Sequence, residues 1–298
     1  MTPPDGASLP SFDALWNYDD PAGTETQFRR LLPQARTSGD TPYLAELLTQ
    51  IARTEGLQQR FEDAHRTLDE VDPLLPVAGN QARVRYLLER GRAFNSARRR
   101  PEARPLFIQA WELACEIGAD AYAVDAAHMI AIVEPPERQL EWLELAMQAA
   151  QASDDPEARG WLGSLYNNAG WTYHDLGRYE DALETFQHGL EWQRQAGNER
   201  ETRIASWTVA RTLRSLGRYE EALELQLVNR GRLEEHGEPV GYAEEEIGEC
   251  LLALGREGEA RPHFAIAYAI LGEDLWLKRD QPERLGRLAT LGGAPDLS

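Results

Sequence analysis

Histidine is the side chain in this sequence best suited to acid–base chemistry, and one of the six histidines stands in a suggestive setting. His174 is followed by Asp175 and lies close to Trp171 in the chain, so an imidazole and a carboxylate could form a small reactive cluster. The chain has no HExxH, HxH or Cys/His pattern, no phosphate-binding loop and no GxSxG nucleophile motif. A histidine that is satisfied by its neighbours or faces solvent is more common than a general base. We therefore expect a protein without enzymatic activity, without a cofactor and without a metal site.

The composition limits the partners. The formal net charge of −19 repels phosphate backbones and anionic membranes, so we expect neither nucleic acid nor a membrane as a partner. The start MTPPDGASLP lacks the features of a signal peptide, and the apolar run at 264–271 is too short to cross a bilayer, so we expect a cytoplasmic protein. Cys115 and Cys250 lie in unrelated contexts and are expected to be small buried residues.

An eight-residue stretch occurs twice with a single change, as LGRYEDAL at 176–183 and as LGRYEEAL at 216–223. Further copies emerge when the small residue in the middle of the motif serves as an anchor. The anchors are Ala64, Ala103, Leu140, Ala182, Ala222 and Ala260, of which Leu140 belongs to a degenerate copy that the spacing requires. Their mean spacing of about 39 residues is typical of proteins built from stacked repeats.

Each repeat is predicted to form two helices joined by a tight turn. Apolar residues recur at helical spacing from Leu165 to Leu176, Gly177 interrupts the pattern, and it resumes from Tyr179 to Leu190. Gly197 is expected to end the second helix. The expected N-terminal caps are Asp155 before Pro156, Thr24 with Gln27, and Asn198 with Glu201.

The unit that starts near Gly163 resembles a tetratricopeptide repeat. The signature positions hold Tyr166, Ala169, Gly170, Tyr173, Leu176, Gly177, Tyr179, Ala182 and Phe186, and the next unit keeps Leu216, Gly217, Tyr219 and Ala222. The closing proline is missing and the period exceeds the usual ~34 residues by about five, which resembles a long variant of the repeat. The resemblance covers about residues 24–291 and is specific for fold rather than for function.

The resemblance implies an all-α fold, namely a right-handed α-solenoid (superhelix) of about six helix-turn-helix units with flanking N- and C-terminal helices. We expect residues 1–23 to be mostly disordered and residues 24–293 to form a single domain. The expected repeats cover 42–79, 82–118, 121–152, 156–196, 199–236 and 239–277, followed by a capping helix at 281–291. That helix is expected to cover the apolar run at 264–271 within a monomer, with homodimerisation through the same end as the alternative.

In this family the first helix of each pair builds the concave wall, so the family's groove positions can be transferred to this chain. The repeat at 163 supplies Asn167, Asn168, Trp171, His174 and Asp175, and the next repeat supplies Trp207, Thr208, Arg211 and Arg214. Earlier repeats supply Gln50, Arg53, Arg85, Arg92 and Asn95, and the last repeat offers Glu245 and Glu249.

The middle of this wall is expected to be basic and aromatic within an acidic protein. Tryptophans, arginines and amides grip a peptide by stacking, cation–π contacts and bidentate hydrogen bonds to carboxylates. Asn168 takes the position at which peptide-binding relatives often hold the ligand backbone. Two alternatives remain open: Trp171 and Trp207 could serve packing, and the arginines could reflect a bias of this chain, in which Lys278 is the single lysine among 31 basic residues.

Residues 81–104 contain eight arginines and two glutamates, so this stretch is locally basic. Arg98, Arg99 and Arg100 replace the turn of the better repeats and are expected at the edge of the array. They either recruit an acidic partner or RNA, or neutralise carboxylates of the array itself, which is the interpretation we favour.

The leading hypothesis from the sequence is a binding scaffold or adaptor that captures another protein or a peptide with acidic and apolar side chains. The alternative is a sensor whose concave pocket binds a small anionic ligand or a signalling peptide. We expect a monomer rather than a homodimer.

Overall fold

The structure of the protein, a computed structural model, describes residues 10–293. Within this range every regular element is helical and no strand occurs. None of these helices combines the length and the apolar character that crossing a membrane requires. In chain order the helices are α1 (Pro21–Ser38), α2 (Thr41–Leu57), α3 (Phe61–Val71), α4 (Leu75–Ala78), α5 (Asn80–Ser96), α6 (Arg100–Glu116), α7 (Asp120–Val133), α8 (Pro136–Ala152), α9 (Pro156–Gly160), α10 (Leu162–Asp175), α11 (Tyr179–Ala196), α12 (Glu199–Ser215), α13 (Tyr219–Glu235), α14 (Gly241–Ala253), α15 (Glu257–Leu271), α16 (Leu275–Asp280) and α17 (Pro282–Gly292).

The chain divides into two compact units, Met1–Trp161 and Leu162–Ser298. In the described part of the first unit, α2 packs on α3, α5 on α6 and α7 on α8. In the second unit, α10 packs on α11, α12 on α13 and α14 on α15. The predicted all-α fold of about six consecutive helix pairs with flanking helices is therefore confirmed.

Small residues let the two helices of a pair approach closely. A Cβ atom built on Gly170 of α10 would lie 2.5 Å from the ring of Phe186 on α11, well inside van der Waals contact. A Cβ atom built on Gly91 would likewise collide with the ring of Phe107, and one built on Gly248 would lie 2.9 Å from the ring of Phe264. All three phenylalanines are buried, so this contact forms the centre of each of these pairs.

The turn between the two helices of a pair needs one residue in the left-handed conformation. In the second unit this residue is Gly177, Gly217 or Gly255, with φ near +74°. In the first unit it is Gln59 with φ of 61° or Arg98 with φ of 62°, and both of these side chains carry a Cβ that disfavours the conformation.

The third pair departs from this pattern and corrects the predicted register. Residues 134 and 135 alone separate α7 from α8, whereas three residues separate the helices of the other pairs. Ala182 is the fourth residue of α11, and the fourth residue of α8 is Gln139. The predicted anchor Leu140 is therefore one residue too late. Both turn residues, Glu134 and Pro135, precede a proline and have extended backbone, and neither adopts the left-handed conformation.

The N-terminal segment is ordered where the structure describes it. Phe12 is buried, and its ring lies 6.0 Å from that of Phe28 on α1, while the Trp16 ring lies 5.4 Å from Phe28. The prediction of disorder up to residue 23 is therefore wrong for residues 10–23, because two aromatic residues bury their rings against α1 and α2. Residues 1–9 lie outside the described residues.

Two of the predicted caps are wrong. Helix α1 begins three residues before Thr24, with Asp20 as its cap, and the Thr24 hydroxyl instead donates to the carbonyl of Asn17 at 3.1 Å. Asn198 does precede α12, but its side chain bonds Gln193 rather than the backbone of its own helix. The Asp155 cap and the left-handed Gly197 are confirmed.

Helix α17 closes the C-terminal end of the second unit's core. Leu285 and Leu288 of α17 join the buried cluster that contains Phe264, so α17 covers the apolar face of α15. Cys250 is buried in the same cluster, whereas Cys115 of the first unit is exposed, contrary to the sequence prediction.

Arg98→Gly is expected to raise the free energy of unfolding by about 1 kcal/mol, because glycine adopts a positive φ without steric cost. Chemical denaturation measures this change. Arg98→Ala removes the same charge but keeps a Cβ, so it should bring no such gain. Equal stability of the two variants would contradict strain at this turn.

Gly170→Ala is expected to lower the free energy of unfolding by about 1–3 kcal/mol, because the added methyl group would collide with the Phe186 ring. The matched control is Gly231→Ala in α13, where an added Cβ meets no atom within 4 Å and should instead stabilise by about 0.5–1 kcal/mol. Effects of the same sign at both positions would argue against the tight contact.

Candidate functional site

Three first helices of the second unit place their aromatic side chains in a row. The ring of Trp171 on α10 lies 6.2 Å from that of Trp207 on α12, which in turn lies 6.3 Å from Tyr242 on α14. Trp171 and Trp207 are half-buried, and Tyr242 is 41% exposed. Trp171 also packs edge-on against Phe186 at 5.3 Å, so it serves both the core and the surface. We call Trp171, Trp207 and Tyr242 the aromatic row.

The predicted amide and hydroxyl positions beside the row differ in accessibility. Asn167 and Asn168 are half-buried on α10, where they flank the row. Thr208 is 2% exposed, and its hydroxyl donates to the carbonyl of Ala205 at 2.9 Å. Its predicted role in binding is therefore wrong, because a buried hydroxyl with a backbone partner has no free surface.

His174 lies beside Trp171 but lacks the geometry of a catalytic pair. Its Nδ1 atom is 4.0 Å from the Asp175 carboxylate, beyond hydrogen-bond distance, and Asp175 is exposed. Its Nε2 atom is 2.9 Å from the hydroxyl of Ser215, which accepts a hydrogen bond from Arg211 at 2.6 Å. Burial, together with the positive charge of Arg211, lowers the pKa of His174.

Arg211 and Arg214 share one buried carboxylate. Arg214 donates to Glu246 of α14 through two nitrogens, at 2.7 and 3.1 Å, and the Arg211 Nε lies 3.2 Å from the same carboxylate. Burial raises the pKa of Glu246, and the two guanidinium groups offset this effect only in part. The arginines predicted to face a ligand are therefore already partnered within the unit.

Two arginines of α17 extend this arrangement. Arg284 donates to Glu245 and its guanidinium lies 5.4 Å from the ring centre of Tyr242, while Arg287 pairs with Glu249. We call the four arginines 211, 214, 284 and 287 with glutamates 245, 246 and 249 the ion-pair cluster. Because it holds four cations and three anions, it carries one excess positive charge rather than the strongly basic surface that the sequence suggested.

A second candidate cavity of about 190 Å³ lies in the first unit. Its lining combines arginines, acids and aromatic rings. They include Arg53, Arg85, Arg92, Asp125, Tyr122 and Trp161. Gln50 also lines this cavity, whereas Asn95 is half-buried and does not, so the structure brings four of the five predicted residues of this unit together.

Two of the three predicted arginines of this cavity, Arg92 and Arg53, differ in how well they are paired. Arg92 donates to Glu89 at 2.5 Å and also to Asp125, and these acids outweigh the effect of burial and raise the pKa of Arg92. Arg53 lies 3.9 Å from Glu89, and burial lowers the pKa of Arg53 because that acid offsets it only in part. Arg53 is therefore the less compensated cation here.

The arginine run at the edge of the first unit is exposed. Arg99 donates to Glu102 at 3.0 Å, and its guanidinium lies 4.7 Å from the ring centre of Phe94. Contacts of this kind fit the interpretation that the run neutralises carboxylates of the array, but Arg98 and Arg100 remain exposed as well.

Several residues of these sites are not among those predicted from the sequence. Tyr242 completes the aromatic row, and Glu246 anchors the ion-pair cluster. Tyr242 lies 15 residues before the second helix of its pair, whereas Trp207 lies 12 and Trp171 lies 8 residues before theirs, so a comparison of equivalent positions would not have found it. Glu246 lies 11 residues before the second helix of its pair, as Asn168 and Thr208 do, so the same comparison would have found it.

The melting temperature is expected to fall as the pH drops from about 7.5 to 5.5. His174 has a pKa below its ordinary value of 6.5 in the folded state, so the unfolded chain binds its proton more readily and lower pH favours unfolding. In His174→Gln the fall should be smaller by about 1–3 °C, as measured by calorimetry. An unchanged pH dependence in this variant would contradict the assignment.

Comparison with known proteins supports the identity of the repeats. A family model described as "Tetratricopeptide repeat" matches residues 161–227. No curated protein matches the chain by sequence.

Solved structures resemble the chain in fold at low sequence identity. The apo form of RapI has a TM-score of 0.74 at 13% identity, over 95% of this chain and 80% of that one. A signal transduction ATPase with a tetratricopeptide repeat sensor, PH0952 from Pyrococcus horikoshii, has a TM-score of 0.73 at 16% identity over 91% of this chain, which spans 44% of the length of that protein. NprR in complex with its cognate peptide NprX has a TM-score of 0.51 at 15% identity, over 94% of this chain and 81% of that one.

The family match falls on the helix pairs α10–α11 and α12–α13, where the signature glycines, tyrosines and alanines stand. The similar solved structures extend the same fold over nine-tenths or more of the chain. Residues 161–227 therefore form tetratricopeptide repeats, and the chain resembles these solved structures in fold.

Proposed function

We propose that the chain is a non-enzymatic binding protein that captures a peptide segment of a partner on the aromatic row of its second unit. The observation that carries this proposal is the row itself, in which three successive first helices present Trp171, Trp207 and Tyr242 side by side. Aromatic side chains of this kind are the commonest anchors of protein interfaces.

The spacing of the row favours an extended segment. The ring centres are 6.2 and 6.3 Å apart, and alternate side chains of an extended chain are about 6.6 Å apart. Apolar side chains at positions i, i+2 and i+4 of a peptide could therefore contact successive rings. A helical segment offers no comparable match along a single line, because its neighbouring side chains on one face are three and four residues apart.

The ion-pair cluster favours an acidic residue in the same segment. Arg211 and Arg214 share the single carboxylate of Glu246, so an incoming carboxylate would find a second, less compensated guanidinium. The fold is compatible with such a ligand, since NprR binds its cognate peptide on a similar fold. The expected partner is therefore a segment that alternates apolar residues and carries a carboxylate.

The test is a selection of random dodecapeptides displayed on phage against the full chain. Synthetic copies of the enriched peptides, acetylated and amidated at their ends, are then titrated by calorimetry. We expect alternating apolar residues and an acidic residue among them. Trp207→Ala should weaken binding by about 30-fold or more, because a central aromatic anchor contributes about 2 kcal/mol or more.

Trp192→Ala is the matched control. Trp192 is also half-buried in the second unit, but it belongs to the second helix α11 and not to the aromatic row. Its replacement should leave the affinity within about twofold. A library without any enriched peptide, or equal losses in Trp192→Ala and Trp207→Ala, would overturn the proposal.

A further inference from the structure

A pocket of about 470 Å³ opens at the end of the aromatic row. It lies in the second unit among α12, α13 and α14, and it includes Trp207 and Tyr242 of the row. Its volume falls in the range of pockets that hold small ligands or large side chains.

Two buried polar residues of α13 stand where the other repeats have apolar or small ones, and one of them, Asn229, lines the pocket. Asn229 is the eleventh residue of its helix α13 and is 1% exposed. The eleventh residues of the other second helices are Val71, Ala110, Ala146, Gly189 and Ala267, all buried. The eighth residue of α13 is the buried Gln226, and its counterparts are Leu68, Phe107, Leu143, Phe186 and Phe264.

Arg203 of α12 is another buried polar residue of this helix pair. Its side chain is 7% exposed and pairs with Glu238, which satisfies part of the guanidinium. Arg203 lies sixteen residues before the second helix of its pair. The residues at the same distance are Gly163 in the preceding repeat and Gly241 in the following one. A large buried cation has thus replaced a glycine.

Two buried side-chain atoms of residues that line the pocket lack a hydrogen-bond partner. The Nε of Arg203 is an unused donor, and the Oδ1 of Asn229 is an unused acceptor. A buried polar atom left unpaired costs about 1–3 kcal/mol, so a ligand that supplies both partners would recover this cost on binding. The guanidinium charge already has a counterion in Glu238, so the missing partner is a neutral group with one donor and one acceptor. A peptide group has this composition, with its N–H for Asn229 and its C=O for Arg203.

The walls of the pocket are apolar. Ile204 is 48% exposed and Tyr242 41% exposed, and Trp207 and Leu233 also line the cavity. Such walls suit a bulky aliphatic or aromatic side chain. We propose that the pocket binds one bulky apolar residue of the captured peptide, with Asn229 and Arg203 holding the peptide group of that residue. This inference deepens the proposed peptide-binding function and rests on it.

The pocket can be tested with a single-residue probe, N-acetyl-L-phenylalanine amide, independently of any selected peptide. The indole N–H signal of Trp207, assigned from a Trp207→Phe variant, follows a titration by NMR of the full chain. We expect saturable binding that is weaker for N-acetyl-L-alanine amide, which keeps the peptide groups but lacks the bulky side chain. Absence of a saturable shift with the phenylalanine probe would overturn the proposal.

The decisive variant is Asn229→Ala, which restores the small residue of the other repeats. It should weaken probe binding about fivefold or more, because one hydrogen bond is lost, while the melting temperature stays unchanged or rises. N-methylation of the probe's phenylalanine nitrogen should weaken binding to the wild type but have little further effect in Asn229→Ala. Unchanged affinity with a lowered melting temperature would assign Asn229 a structural role and overturn the proposal.

Gln226→Leu is the matched control. Gln226 lies one turn away on the same helix, is equally buried and also has an unpaired oxygen, but it does not line the pocket. Its replacement should leave probe affinity unchanged, and an equal loss in both variants would contradict a specific contact with Asn229. If dodecapeptides bind through Trp207 while the probe does not bind, the peptide-binding function stands and only the pocket assignment falls.

Discussion

Close contact between a small residue of one helix and a large ring of the next is the constraint on which three of the six helix pairs depend. Gly170 and Phe186 show it most clearly, since even a methyl group between them would collide. The contact brings the two helices together at the repeat's centre, and it leaves the outer faces of the first helices free to carry other side chains. The aromatic row exists because three such faces follow one another at a regular spacing.

The same first helices carry the charges that limit how the surface can bind. An arginine on one first helix meets a glutamate on the next, as Arg214 meets Glu246. These pairs reduce the exposed positive charge of the surface and give its side chains fixed partners. The resulting surface is mainly aromatic with one excess cation, which suits an apolar segment with an acidic residue better than a strongly anionic ligand.

The fifth helix pair, α12–α13, has a more polar interior than the other pairs. Its second helix holds Gln226 and Asn229 where the other pairs bury apolar or small residues, and its first helix holds Arg203 where its neighbours have glycine. Buried polar atoms without partners cost stability, and natural proteins tend to accept such costs at functional positions. The departure from the repeat pattern thus points to the same part of the unit as the aromatic row.

Much of the fold could be predicted from the sequence, because the repeated octapeptide, the turn glycines and the helical spacing act within one helix pair. The capping prediction at Asn198 failed, since its side chain has a competing partner in Gln193, and the order of residues 10–23 was missed because it depends on rings packing against α1. At the candidate site, the sequence by itself determined that Trp171 and Trp207 share equivalent helix faces. Only the tertiary structure decided that Thr208 is buried, that Arg211 and Arg214 share Glu246, and that Tyr242 completes the row. The accessibility and the partner of a side chain depend on helices about 35 residues away in the chain, and local pattern carries no information about those contacts.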